Sequence, residues 1–186
     1  MDVSDLRKNV KLQIDGHPYV VTDFQFVKPG KGQGLYKCRI KNMITGAILD
    51  RTWRSGEKLE AANVESRKMQ FLYSSGDTFT FMDNESYEQL EVPAEMIGDD
   101  RNFLLDNLAC EVLFYNERAV GVSLPNQVVY EVTECEPGVK GDTATGVTKA
   151  ATIATGYNVQ VPIFIRVGDR IKVDTRTGEY LERVNQ

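Results

Sequence analysis

The sequence predicts an all-β protein made of three small modules in a row. Short runs in which apolar and polar residues alternate recur along the chain, and clusters rich in Gly, Pro, Asn and Asp separate them. Only two short stretches, residues 93–97 and 100–108, have helical spacing. Each module is too small for a large core, so we expect an elongated body rather than one globule.

Composition excludes several classes of protein. The chain has 186 residues and no apolar run near the roughly 18 residues of a membrane span, and its start lacks the features of a signal peptide. We therefore expect a cytoplasmic protein without a membrane partner. Cys38, Cys110 and Cys135 are odd in number and far apart, which argues against disulfides and a zinc site. His17 is the only histidine, so catalysis by a Ser/His or Cys/His pair is poorly supported, and we expect neither a cofactor nor an enzyme.

Charge is distributed unevenly along the chain. Residues 1–63 hold 11 Lys/Arg against 7 Asp/Glu, a net charge of +4. Residues 64–128 hold 4 against 12, a net of -8, and residues 129–186 hold 7 against 8, a net of -1. A basic module joined to an acidic one favours a polyelectrolyte partner at the N-terminal end, although chance clustering is the alternative.

The first module, residues 1–63, contains four predicted strands, at residues 10–14, 19–27, 35–41 and 47–54. In the third of them Lys37, Arg39 and Lys41 share one face, opposite the apolar positions. Such a stripe of cations either keeps a surface soluble, which is its usual role, or follows RNA phosphates.

Residues 27–34, between the second and third strands, form the most distinctive stretch of the chain. Pro29 fixes φ and keeps Lys28 extended, while Gly30 and Gly32 allow the backbone to take positive φ and place no side chain beside Lys31. The stretch therefore predicts a protruding hairpin tip with a single accessible lysine. Most Gly-rich tips are only turns, and this glycine spacing is not that of a nucleotide-binding loop.

The two remaining modules are predicted as small barrels of the OB type. The acidic module, residues 64–127, has strands at 64–73, 78–82, 87–92, 110–115 and 119–124, with the two helical stretches between the third and the fourth. The C-terminal module, residues 128–186, follows with strands at 127–135, 159–167, 170–174 and 179–184. Between the first two of these lies a loop, residues 136–156, whose Thr-rich part at 141–152 is long enough to indicate a function or disorder.

Several motifs, taken together, resemble bacterial translation elongation factor P. They are Lys28-Pro29-Gly30-Lys31-Gly32, Gly141-Asp142-Thr143-Ala144, Ala151-Thr152-Ile153-Ala154-Thr155-Gly156 and Ile171-Lys172-Val173-Asp174-Thr175-Arg176-Thr177-Gly178-Glu179-Tyr180. The resemblance covers essentially the whole chain. It implies an SH3-like (KOW-type) barrel followed by two OB barrels in an L-shaped body with the dimensions of tRNA. It also implies a monomeric factor that binds the ribosome beside peptidyl-tRNA and relieves stalling at consecutive prolines.

The resemblance also assigns roles to particular residues. Lys31 matches the tip lysine that reaches the CCA end of peptidyl-tRNA, and that lysine is often lengthened by a modifying enzyme. The loop at residues 141–152 matches one directed toward the small ribosomal subunit, although residues 145–150 depart from the family form. Further RNA contacts are expected from Lys28, Lys37, Arg39, Lys41, Tyr180 and Arg183, of which Tyr180 is equally well explained as a core residue.

Two other classes of function remain open. A single-stranded nucleic-acid-binding protein built of OB barrels would need a basic groove in residues 64–186, but that region has a net charge of -9. An enzyme would need a catalytic pair, metal-ligand spacing or a phosphate loop, and the sequence offers none of these. A paralogous group that lacks the tip lysine motif is disfavoured by Lys31 and its glycines.

Overall fold

A computed structural model describes residues 1–137 and 147–184. Three curled five-stranded sheets follow one another along the chain. A turn of 3-10 helix, Val3–Asp5, precedes the first sheet, whose strand order is β4-β3-β2-β1-β5 with every neighbouring pair antiparallel. Its strands are β1 (Lys11–Ile14), β2 (His17–Val27), β3 (Leu35–Asn42), β4 (Ile48–Arg54) and β5 (Glu60–Ala61).

The turn from β1 to β2 shows how local sequence sets the register of the first sheet. Asp15 and Gly16 have φ of 52° and 78°, the left-handed values that a two-residue hairpin turn requires. This turn pairs Ile14 with His17 and directs Leu12 into the core. That core also contains Val3, Leu6, Val21, Cys38 and Ile40.

The second sheet has the strand order β10-β9-β6-β7-β8. A one-turn helix, α1 (Ala94–Ile97), and a 3-10 helix, Gly98–Phe103, lie between its third and fourth strands in sequence. The strands are β6 (Val64–Ser75), β7 (Thr78–Asp83), β8 (Gln89–Pro93), β9 (Ala109–Tyr115) and β10 (Arg118–Ser123).

The third sheet has the order β13-β12-β11-β14-β15, and its neighbouring strands are all antiparallel. Tyr130 lies at the centre of its core, where the Tyr130 hydroxyl donates a hydrogen bond of 2.5 Å to the carbonyl of Phe103. Burial raises the pKa of this phenol, so it stays protonated and able to donate. The strands are β11 (Gln127–Cys135), β12 (Thr148–Ile153), β13 (Asn158–Pro162), β14 (Arg170–Asp174) and β15 (Glu179–Arg183).

By internal packing the chain divides into two compact units. One contains residues 1–67 and 112–121, and the other contains residues 68–111 and 122–186. The division into three domains at residues 1–63, 64–127 and 128–186 stays a prediction.

Three predictions about local structure were wrong. The strand expected at residues 159–167 ends at Pro162, and residues 163–167 belong to no strand. Residues 148–153 belong to β12, where inward-facing Ala151 and Ile153 are buried, so this part of the expected loop is a core strand. Residues 100–108 do not form an α-helix, because a 3-10 helix ends at Phe103 and the chain then turns at Asn107, which has φ of 69°. The apolar residues that suggested a helix are nevertheless buried. Phe103 is the last residue of the 3-10 helix, and Leu104 follows it in extended conformation.

Candidate functional site

The β2–β3 hairpin presents its tip beyond the last pair of its ladder. Regular pairing ends at Val27 opposite Leu35, and residues 28–33 are all exposed. Within the loop the amide of Gly32 donates to the carbonyl of Pro29 at 3.2 Å, which closes a turn with Gly30 and Lys31 at its centre. The sequence therefore places the lysine at the outermost part of the hairpin.

The Lys31 ammonium has no hydrogen bond or ion pair with any residue in the part of the chain that the structure describes. Its neighbours leave it clear, since a Cβ atom added at Gly30 would meet nothing within 4 Å. One at Gly32 would meet only Pro29, at 3.7 Å. The cation is therefore free to pair with an anion or to be modified.

The tip glycines do not use their freedom to take positive φ. Neither Gly30 nor Gly32 has positive φ, so the turn itself does not require glycine at either position. What these residues contribute is the absence of side chains beside Lys31. The fold therefore does not require glycine at these positions, and a requirement for glycine would have to come from a partner that binds the tip.

The base of the tip is tightly packed, in contrast to the tip. Gly34 is buried, and its carbonyl accepts hydrogen bonds from the amide of Ser55 at 2.9 Å and from the Ser55 hydroxyl at 3.2 Å. The edge of the Phe26 ring lies against the main chain of Gly34, where an added Cβ would stand 2.6 Å from Cε2 of that ring. The Tyr36 ring centroid is 4.8 Å from that of Phe26. These contacts fix the point where the loop leaves the sheet.

The basic stripe on β3 is exposed, as its alternation indicates, but one of its three charges is neutralised. Lys37 and Arg39 are exposed and Lys41 is half-buried, whereas Cys38 and Ile40 between them face the core. Arg39 Nε donates to Asp50 Oδ1 at 3.0 Å across the β3–β4 ladder, and this hydrogen bond raises the pKa of Arg39. Lys37 instead faces Gln25 and Thr52.

Arg54 is a candidate that the sequence reasoning missed. It pairs with Leu35, so it lies on the same sheet face as Lys37 and nearer to the tip, and it is exposed. The sequence could have revealed it, because Arg54 and Thr52 are two residues apart on β4 and so point to the same face of the sheet. With Arg39 paired to Asp50, the free cations that the described strands place on this face include Lys37, Lys41 and Arg54, and Lys11 on β1, which pairs with Val20 beside Lys41.

Tyr180 and Arg183, the two C-terminal candidates, lie on β15 and both make internal contacts. Tyr180 is half-buried and packs against the core of the third sheet. The Arg183 guanidinium lies 5.2 Å from the Phe164 ring centroid and 4.0 Å from an oxygen of Asp169. An RNA contact by either residue stays a prediction.

The motif at residues 171–180 has a clear structural role. The Asp174 carboxylate is buried and accepts hydrogen bonds from the Arg176 amide at 2.8 Å, from Nε at 3.1 Å and from Nη2 at 2.9 Å. These bonds hold the pKa of Asp174 below its ordinary value. Gly178, with φ of 77°, closes the turn by donating from its amide to the Asp174 carbonyl.

The Thr-rich loop is only partly described. Residues 141–146, which include the Gly141-Asp142-Thr143-Ala144 motif, lie outside the described residues, as do 138–140. Thr148 and Thr152, by contrast, belong to β12 and donate from their hydroxyls to Gln160 and Asn158 on the neighbouring strand.

Other reactive groups are held inside the sheets. Burial is the main cause of the raised pKa of the Cys38 thiol, and the negative charge of Asp23 adds to it. Burial likewise raises the pKa of the Cys110 thiol to about 11. Both are therefore thiols rather than thiolates at neutral pH. Within residues 1–137 and 147–184, no three His, Cys, Asp or Glu side chains are grouped so as to hold a metal ion. Over the same ranges, no helix has the length and apolar character needed to cross a membrane.

Comparison with known proteins accounts for all three sheets. Residues 2–59 match the model of the elongation factor P (EF-P) KOW-like domain, and residues 64–122 match that of the EF-P OB domain. Residues 128–183 match the model of the elongation factor P C-terminal region. The predicted fold class, with a KOW-type module first and an OB module after it, is confirmed.

Relatives in bacteria are similar over nearly their full length. The chain is 54% identical over 181 residues to elongation factor P of Syntrophus aciditrophicus, which covers 97% of both chains. It is 53% identical over 185 residues to elongation factor P of Desulforapulum autotrophicum, covering 100% of this chain and 99% of the other. A solved structure of translation initiation factor 5A from Methanococcus jannaschii has a TM-score of 0.49 and 25% identity, covering 67% of this chain and 93% of that one. The protein therefore belongs to the elongation factor P family of translation elongation factors.

Proposed function

We propose that this protein binds the ribosome beside peptidyl-tRNA and speeds peptide-bond formation where consecutive prolines stall it. The observation that carries the proposal is the placement of Lys31, an exposed cation without a partner among the described residues, at the turn of a protruding hairpin. A cation presented in this way can enter an RNA-lined cavity and pair with phosphate or ribose oxygens there. The protein acts in the cytoplasm as a monomer.

The factor needs no catalytic group of its own for this role. Proline reacts slowly because its ring restricts the geometry of the chain. A factor that holds the CCA end of the tRNA in an attack-ready position lowers the barrier by orientation, without proton transfer or a covalent intermediate. The protein thus assists a reaction that the ribosome catalyses and is not itself an enzyme.

Lys31 is also the proposed target of a modifying enzyme. Its ammonium is accessible, and the glycines on either side let an enzyme pocket close around it. A longer cationic side chain would reach further into the same cavity. The chemical nature of the added group is to be read from the mass of the protein purified from its native host.

The remaining cations are proposed to hold the factor on RNA. Lys37, Lys41 and Arg54 supply free charges on the exposed face of the first sheet, and Lys28 lies at the entry to the tip. Cations placed this way contact phosphates without reading sequence. Arg39, Tyr180 and Arg183 are proposed as weaker contributors, since each already has an internal partner.

A reconstituted translation system tests the proposal directly. The rate of peptide-bond formation at a run of three prolines is measured without factor, with the native protein and with Lys31→Ala. We expect the native protein to restore the rate, and Lys31→Ala to lose most of that effect while still folding. If Lys31→Ala is fully active, the tip mechanism is wrong. If the native protein has no effect, the single-stranded nucleic-acid-binding alternative becomes the better explanation.

A further inference from the structure

A row of aromatic side chains crosses the first sheet below the tip. Phe26, Tyr36 and Trp53 lie directly opposite one another on β2, β3 and β4, so their side chains share one sheet face. Tyr36 and Trp53 are half-buried and pack against the core, whereas Phe26 is 48% exposed. We propose that the open ring of Phe26 is a stacking surface for an unpaired RNA base.

The ring is held in place rather than left loose. One side is fixed by the Tyr36 ring, whose centroid is 4.8 Å away at an interplanar angle of 48°. The ring edge lies against the main chain of Gly34, where no side chain intervenes. About half of this ring is open to solvent, and the rest is held by Tyr36 and Gly34. A base can therefore stack on it without first having to order it.

The surrounding charge favours nucleic acid over protein as the occupant. The cations near Phe26 are Lys28 and Lys31 in the adjoining tip and Arg51, which is exposed and pairs with Cys38, so it shares the sheet face of Phe26. Asp23 and Asp50 are in register with Arg39, so they lie with Lys37, Arg39 and Lys41 on the opposite face of the sheet from Phe26, and the chain has no carboxylate between Asp23 and Asp50. An exposed aromatic ring beside cations is typical of sites that bind unpaired nucleotides.

The occupant is therefore an unpaired nucleobase in a single-stranded RNA segment. A duplex would present phosphates and sugar edges to the ring, and these gain little from an aromatic face. This inference rests on the proposed function, because the ribosome and the end of the tRNA would supply the unpaired bases. It adds a base contact below the tip to the charge contact that Lys31 makes at the tip.

Three variants separate stacking from packing. Phe26→Leu keeps an apolar side chain beside Tyr36 but removes the aromatic face, and Phe26→Tyr keeps that face. Tyr73→Leu is the matched control, because Tyr73 is likewise 50% exposed but lies in the acidic middle sheet. Circular dichroism melting confirms that each variant is folded.

The first assay measures the Kd of the fluorescently labelled protein for ribosomes carrying peptidyl-tRNA. We expect Phe26→Leu to raise the Kd about tenfold, and Phe26→Tyr to stay within about twofold of the unaltered protein. Tyr73→Leu should leave the Kd unchanged. In the same complexes, benzoylphenylalanine at position 26 should crosslink to a ribonuclease-sensitive species. A crosslink only to protein, or equal Kd values for all variants, overturns the inference.

The second assay does not depend on the ribosome. A single-stranded oligonucleotide containing 2-aminopurine is titrated with the protein alone at low salt. Stacking on Phe26 should quench its fluorescence, and Phe26→Leu should abolish most of the quenching. If the unaltered protein neither binds ribosomes nor speeds proline addition, the proposed function fails, and this assay still decides the inference. If it is active on prolines but the oligonucleotide is not quenched, only the inference fails.

Discussion

Replacing the Asp50 carboxylate by an amide is expected to strengthen binding to RNA. Asp50 accepts the hydrogen bond of Arg39 Nε at 3.0 Å, and the side chains are 73% and 55% exposed respectively. The pair holds one cation of the β3 stripe away from phosphates. The substitution Asp50→Asn would keep an oxygen acceptor while removing the charge, which frees Arg39 to contact a phosphate. The exposed pair contributes little to stability, so the fold should be unaffected.

The size of the effect follows from counterion release. One additional phosphate contact changes the slope of log Kd against log salt by about 0.7 to 0.9. Over a threefold increase in salt, such as about 100 to 300 mM, the variant should lose about two- to threefold more affinity than the unaltered protein. Its advantage is therefore largest at low salt. Equilibrium binding of labelled protein to ribosomes across this salt range measures the slope.

Asp106→Asn is the matched control, since it removes one exposed negative charge outside the first sheet. A purely global effect of net charge would shift both variants equally. An unchanged slope for Asp50→Asn would show that Arg39 does not reach RNA even when it is free. A slope that changes as much for Asp106→Asn would refute the argument that the position of the charge matters.

Three further variants test the fold itself. Tyr130→Phe leaves the buried carbonyl of Phe103 without its 2.5 Å hydrogen bond, so urea unfolding should show a loss of about 1–3 kcal/mol, and a loss below ~0.3 kcal/mol would contradict this. Asp174 has a lowered pKa, so its interactions stabilise the protein above its unfolded pKa of about 3.9 and are lost as pH falls through the folded value. Asp174→Asn should therefore flatten the fall of melting temperature between about pH 4 and 2, and an equally steep fall would refute the role of Arg176. Gly30→Ala should be neutral or up to about 1 kcal/mol more stable by thermal melting, because φ there is not positive, and a clear destabilisation would contradict the tip geometry.

The hairpin was predictable because its signals are local. Period-two alternation in residues 19–27 and 35–41, broken by Pro29 and three glycines, specifies two strands and an exposed tip. The exposed face of β3 follows from the same alternation. The turn between Asp15 and Gly16 was likewise visible, since those residue types are the ones that accept left-handed φ. The role of Lys31, in contrast, came from the motif and not from its physical surroundings.

What the sequence did not show depends on contacts between distant residues. The pairing of Arg39 with Asp50 requires the register of β3 on β4, which no local pattern reveals. The contact of Phe26 with Gly34 likewise appears only after the hairpin closes. Strand β12 was hidden because its Thr residues are polar and its Ala residues are small, a composition typical of loops, although tertiary burial makes Ala151 a core residue.

The independence of the tip from the rest of the fold bears on how this segment can evolve. Residues 28–33 are exposed and share one backbone hydrogen bond, and alanine would fit at Gly30 and Gly32 without strain. Substitutions there would therefore escape selection for folding. If relatives nevertheless keep the same residues, the cause is selection by the partner alone. Sequence differences among relatives in the tip would therefore reflect changes in partner binding. In the sheet below, they would also reflect the need to keep the fold stable.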